Sequence, residues 1–238
     1  MSGGLPDAAA LAEARRQATD SWQEALADAP QGWALADLDL GPVLAPFGVS
    51  VAPGWEMVVL TGRWSRDGEG RVVAVPADVA ADVRTRLQHL LADYDDDEPP
   101  DVAAAAADVG EALTGERSDR GLLLASLAVR ELAEVGAAGH GWDWLEEQVV
   151  EGDGALPRLP AGWDAPEAVD DWQWDFPRHE SWSPRVEHSA STVIVRFFTY
   201  SAAGGHELAC HTDTYGGEGL AARRSRLTVA RAAGGYTP

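Results

Sequence analysis

The chain has no lysine and no asparagine, one isoleucine (Ile194) and one cysteine (Cys210) among its 238 residues. The three scarce types Lys, Asn and Ile use AT-rich codons, so the pattern reads as a GC-rich bacterial coding genome in which Arg replaces Lys, and Leu and Val replace Ile. The chemical consequence stands apart from the cause. Without lysine there is no Schiff-base lysine, no GK[ST] phosphate loop and no kinase strand lysine. A single cysteine excludes an internal disulfide and a thiolate-rich zinc site, and fits a reducing cytosol. The opening MSGGLPDAAALAEARRQ has no basic segment followed by an apolar core, and no apolar run approaches membrane-spanning length. A cytoplasmic, non-membrane protein is therefore expected. The motifs GxSxG, GxGxxG and CxxC are missing too, so nucleophile-elbow, dinucleotide and thioredoxin-like chemistry have no motif support, and no cofactor is expected.

Cations are also few, and the formal charge is -21. Binding to nucleic acid or to anionic membranes draws its affinity from Lys and Arg, so neither partner is expected. The same field speeds encounter with basic proteins.

What is present is periodic. Leu11, Ala14, Ala18, Trp22 and Leu26 recur at helical spacing between Asp7 and Asp28, which predicts an opening helix closed by Pro30 and Gly32. GWEMVVLTGRW and GRVVAVP flank Asp67-Gly68, which predicts a β-hairpin turning at that pair. Trp33 to Asp39 and Phe47 to Val51 add short strands. After Pro76 a helix is expected with Val79, Val83, Leu87, Leu90 and Tyr94 on its apolar stripe. It ends in DYDDDEPP, a solvated linker that places a subdomain boundary near residues 95–100.

Asp101 to Thr114 reads as an Ala-rich helix. Asp119 to about Val135, capped by Ser118, reads as a second helix, apolar almost all round and so the buried centre of the fold. A short helix is expected from Trp142 to Val150. From Glu151 to Glu187 an irregular segment is pinned by aromatics. The end reads as a three-strand meander, STVIVRFFTY, HELACHTDTY and RSRLTVAR, with turn loops between. The fold class expected is α+β in a single domain of residues 1–238, mainly antiparallel. The hairpin region and the meander are expected to join one sheet, with the helical insertion 77–150 packed on one face.

Four clusters invite a functional reading. In GGHELACHTD, His206 and His211 are five apart, which is wrong for the two ligands of a helical HExxH, so no metal is expected there. Read as a strand, Glu207, Ala209, His211, Asp213 and Tyr215 share one face, an acid/base cluster. The plain alternative is a solvated strand face with Cys210 in the core. In GWDAPEAVDDWQWDFPRHESW, the residues Trp163, Asp171, Trp172, Trp174, Asp175 and Trp182 combine aromatics with carboxylates, as a surface for a basic partner would. The plain alternative there is that the tryptophans anchor the segment to the sheet. The run Asp93, Asp95, Asp96, Asp97, Glu98 has Glu98 and Ala104 where a calcium loop needs Gly and a bidentate Glu, and Pro99 where a DDxxD motif needs its last carboxylate. Arg223, Arg224, Arg226 and Arg231 form the one basic patch, read as pairing with the protein's own carboxylates, with an oxyanion clamp as the alternative.

Three functions are expected from these residues. The first is an acidic partner-binding protein, of an immunity or inhibitor kind, that captures and neutralises a basic protein. The second is a small enzyme using Glu207, His211, Asp213 and Tyr215 on an anionic substrate, with Arg196 or Arg226 binding the anion. The third is a small-molecule carrier with a Trp-lined pocket.

Overall fold

The computed structural model describes residues 4–65, 67–92, 94, 100, 107–138, 144–159 and 171–235. Helix α1 (Ala8–Ala25) starts at Asp7, whose carboxylate accepts from the Ala10 N–H at 2.8 Å and satisfies one of the orphan donors of the first turn. Its buried face is Leu11, Ala14, Ala18 and Trp22, as the spacing predicts, with Arg15 buried among them. Strand β1 (Gly32–Ala36) follows, then a short helix α2 (Gly41–Leu44), β2 (Val49–Val51) and the hairpin β3 (Trp55–Trp64) and β4 (Asp67–Pro76). Next come α3 (Ala80–Leu91), β5 (Leu113–Gly115) and α4 (Asp119–Ala133). The chain ends with β6 (Gln148–Val150), β7 (Gln173–Trp174), β8 (Arg185–His188) and the meander β9 (Thr192–Ser201), β10 (His206–Gly216) and β11 (Ala222–Ala232).

All strand pairs are antiparallel, so the α+β class holds. The two large β regions do not join edge to edge, however. β1, β3 and β4 form one sheet, β6, β9, β10, β11 and β7 a second with β8 also on β9, and β2 pairs with β5 in a third. The reason lies in α4. Ser118 caps it, accepting from the Gly121 N–H, and Leu122, Leu123, Ala125, Leu127 and Ala128 are all fully buried. A helix apolar all round needs cover all round. Met57, Val59 and Ala74 cover it from the hairpin sheet, Val195, Phe197 and Tyr215 from the meander sheet, and Leu11, Ala18 and Trp22 from α1, in one continuous core.

Each outer sheet face has its own cover. α3 lays Ala80, Val83 and Leu87 over Trp33, Val58, Leu60, Val73 and Val75. The aromatic segment lays Trp172 and Trp182 over Phe198, Tyr200, Leu208 and Cys210. The order of layers is therefore α3, hairpin sheet, α1 with α4, meander sheet, aromatic segment.

Several local expectations shift. The hairpin turns two residues before Asp67-Gly68, because Trp64 already pairs with Asp67 and Ser65 takes a left-handed φ of 58°. Gly68 is spent on close packing instead: it exchanges hydrogen bonds with Ala138, and a β-carbon there would meet the Gly136 carbonyl at 2.8 Å. Of the predicted helix from Asp101 to Thr114, residues 109–112 form a single 3-10 turn and 113–115 pair with β2; residues 101–106 lie outside the described residues. The predicted helix to Val150 is strand β6 over its described end, its β-branched pair matching Phe198 and Thr199 on β9. Val79 and Leu90 are exposed, while Leu91 and Tyr94 pack partly against the core of α3. The acidic run 95–98 and Trp163 lie outside the described residues. No described helix is long and apolar enough to cross a membrane.

Candidate functional site

One face of the meander sheet carries Thr199 and Phe197 on β9, Glu207, His211 and Asp213 on β10, and Arg226 and Arg224 on β11, set side by side by the register His211↔Phe197, His211↔Arg226 and Asp213↔Arg224. A cavity of about 780 Å³ opens over this face, closed on the opposite side by Arg130, Ala133 and Glu134 at the end of α4 and by Trp144 and Glu147. The other face carries Phe198, Tyr200, Leu208 and Cys210, as the period of two dictates.

Both faces of β10 are buried, so the plain reading of a solvated strand face does not hold: His211 is 2% exposed, and Asp213 and Tyr215 are 0% exposed. Buried charge persists only when paired and hydrogen-bonded. Glu147 supplies the pairing. Its Oε2 accepts from His211 Nε2 at 2.7 Å and from the Thr199 hydroxyl at 2.6 Å, and its Oε1 accepts from Arg226 Nε at 2.5 Å. Burial by itself raises the Glu147 pKa, but His211, Thr199 and Arg226 outweigh it and bring the carboxyl from 4.5 to about 2. His211 shifts below 6.5, first because burial disfavours the cation and further because Arg130 and Arg226 repel it, against the pull of Glu147.

The imidazole is therefore neutral near neutral pH, with its proton on Nε2 toward the carboxylate. It is clamped flat on Phe197, ring centroids 4.8 Å apart, with Trp144 edge-on at 5.6 Å. Its Nδ1 is buried and has no hydrogen-bond partner among the described residues. His211 borders the cavity, and its unspent Nδ1, although buried, is equipped to accept a proton or a hydrogen bond once it is uncovered.

The other candidates divide. Glu207 borders the cavity with His211, meeting Arg226 and, at 3.3 Å, Arg231 Nε. Asp213 and Tyr215 are spent on α4 instead. Arg130 grips Asp213 with both terminal nitrogens at 2.7 and 2.6 Å. Tyr215 Oη lies 2.8 Å from Ser126 Oγ and donates to the Leu122 carbonyl at 3.1 Å, and burial pushes it up to about 12. Arg196 pairs with Glu187 and sits opposite Thr212, on the other face from His211, whereas Arg226 borders the cavity. Cys210 is an unpaired thiol whose pKa burial raises, which makes it a poor nucleophile.

The partner-binding candidates also divide. Trp182 and Trp172 are core residues rather than surface anchors, at 0% and 4% exposure, because a long irregular segment has to bury something against the sheet. Trp174 is half-buried beside them, with ring centroids 6.5 Å from Trp172 and 6.0 Å from Trp182. Asp171 and Asp175 are exposed, and Asp175 pairs with Arg231 at 3.0 Å. Among the C-terminal arginines, Arg224 meets Asp108, Arg226 meets Glu147 and Glu207, and Arg231 meets Asp175 and Glu207, so the ion-pair reading fits these three, whereas Arg223 makes no ion pair among the described residues.

Sequence reasoning missed Glu147, Arg130 and Trp144. Glu147 reaches across 64 residues to His211, and its one local mark is to stand next to a strand. Arg15 was missed as well: it bonds Glu131 on α4 and the carbonyls of Glu147 and Trp144, and so ties α1 to the cavity wall. Among the described residues no group of three or more His, Cys, Asp or Glu is placed to hold a metal ion. Comparison with protein-family models, with curated proteins and with solved structures finds no match to this chain.

Proposed function

We propose that the chain is an enzyme acting on a small molecule seated in the cavity, with His211 as general base and Glu147 as the group that orients it. The observation that carries this is the single unspent nitrogen of His211, whose other nitrogen is committed to Glu147. In the step proposed, side-chain movement first uncovers the buried Nδ1 to the cavity; an O–H bond of the substrate or of a bound water then breaks, its proton goes to Nδ1, and the resulting imidazolium is stabilised through Nε2–H by the Glu147 carboxylate. Arg226 stands beside the same carboxylate and offers positive charge where oxyanion character develops. The lone, buried, unpaired Cys210 suits a reducing cytosol, where we place the protein.

The test is turnover of a panel of small carboxylate and phosphate esters followed by proton NMR, with the parent and His211→Asn compared. The parent turns over at least one member, and the variant is slower by about 10²–10⁴-fold. Equal turnover by both proteins contradicts the reading, and so does a panel that yields no turnover and leaves the His211 ring resonances unmoved.

A second reading, capture of a basic protein, has one observation in its favour: Phe176 is 41% exposed between the exposed carboxylates Asp171, Asp175 and Glu180. A complex that dissociates with added salt and is lost in Phe176→Ala supports it.

A further inference from the structure

The hydrogen-bonding capacity left over around the cavity is one-sided. Every carboxylate on its wall is spent: Glu147 on His211, Thr199 and Arg226, Glu207 on Arg226 and Arg231, and Glu134 on the N–H groups of Trp144 and Leu145. The arginines are not. Arg226 uses Nε and Nη2, and Arg231 uses Nε and Nη1, which leaves Nη1 of the first and Nη2 of the second without a partner among the described residues. Among the charged side chains of the wall the unspent groups are thus N–H donors, and the acceptor Nδ1 of His211 is unspent but buried. A ligand that complements this wall is rich in acceptors and carries one donor.

Glu207 shows how such an acceptor is received. It stands opposite Arg231 in the β10–β11 register, and its two oxygens face two different guanidiniums, Oε1 to Arg226 and Oε2 to Arg231. Its side chain is 23% exposed, and those of the arginines are 43% and 57% exposed, so all three have room to rearrange. Gly204 and Gly205 border the same edge of the cavity without side chains to crowd it. We propose that Arg226 and Arg231 form an oxyanion subsite, and that the Glu207 carboxylate is an internal occupant that a ligand's carboxylate or phosphate replaces. This rests on the reading of the cavity as a substrate site. It assigns the substrate class: a small molecule with an oxyanion at Arg226 and Arg231 and a hydroxyl toward His211.

The test uses inorganic phosphate as the probe, titrated calorimetrically at low ionic strength. Removing the internal competitor in Glu207→Gln tightens phosphate binding by about tenfold, the worth of one charge-assisted hydrogen bond. Adding Arg231→Gln to that variant, a change that leaves the Arg226–Glu147 pair in place, returns binding to the parent level. Equal phosphate affinity in the parent and Glu207→Gln overturns the proposal, as does tight binding that survives loss of Arg231. The two readings fail separately. If phosphate behaves as predicted but turnover survives His211→Asn, the base falls and the subsite stands; if turnover depends on His211 but phosphate ignores Glu207, the subsite alone falls.

Discussion

Asp213 has no solvent exposure, and both of its oxygens are held by Arg130, itself stacked 5.1 Å from the Phe197 ring. Removing one partner of such a pair strands the other charge in the core. Arg130→Met is therefore expected to lower the unfolding free energy by about 3–5 kcal/mol, read by urea denaturation; a loss well below that range means that water reaches Asp213. Acid stability follows from the His211–Glu147 pair. His211 has a folded pKa below 6.5, so as pH falls below 6.5 the unfolded chain takes up a proton that the folded one refuses, and stability drops with it. Glu147 shifts from 4.5 to about 2, so its contribution is present above 4.5 and lost as pH falls toward 2. Both signs agree. The urea midpoint should fall as pH is lowered from neutrality through 6.5, and His211→Gln should flatten the upper part of that slope. It will not abolish the slope, because His179 is also lowered by burial. An unchanged slope in the variant contradicts the assignment.

At the scale of elements, the aromatic segment holds to the meander sheet through Trp182, which is fully buried, sits edge-on to Phe198 at 5.0 Å and donates to the Gly154 carbonyl at 3.1 Å. Trp182→Ala should cost about 3–5 kcal/mol in unfolding free energy; a near-neutral effect would return Trp182 to the surface role. Elements that announce themselves by period and cap were legible in the sequence: α1 with Asp7, α4 with Ser118, and the meander with its alternation. The faces of β10 were legible for the same reason, which is why His211 and Asp213 were placed together. What surrounds them was not legible. Whether a strand face meets water or a helix depends on what packs over it, and Arg130, Trp144 and Glu147 come from segments whose local patterns carry no mark of the contact. The hairpin turn misled because Gly68 serves two possible needs, a left-handed turn and a close approach, and only the neighbouring Gly136 and Ala138 decide between them.

Across the whole molecule, the charge of -21 coexists with a cavity wall on which four arginines gather, Arg130, Arg224, Arg226 and Arg231. Surface charge sets solubility and encounter, but the groups lining a cavity decide what stays in it. The layers converge on that wall. α1 ties down the Trp144–Glu147 segment through Arg15, α4 supplies Arg130, and the meander sheet presents His211 between Phe197 and Arg226. Their joint product is one neutral imidazole, protonated on Nε2 and bare on Nδ1. The most direct measurement is the side-chain nitrogen NMR of the intact protein labelled with ¹⁵N-histidine at neutral pH, with the His211 signals assigned by their loss in His211→Gln. A proton on Nε2 alone is expected. An imidazolium, or a proton on Nδ1, contradicts it.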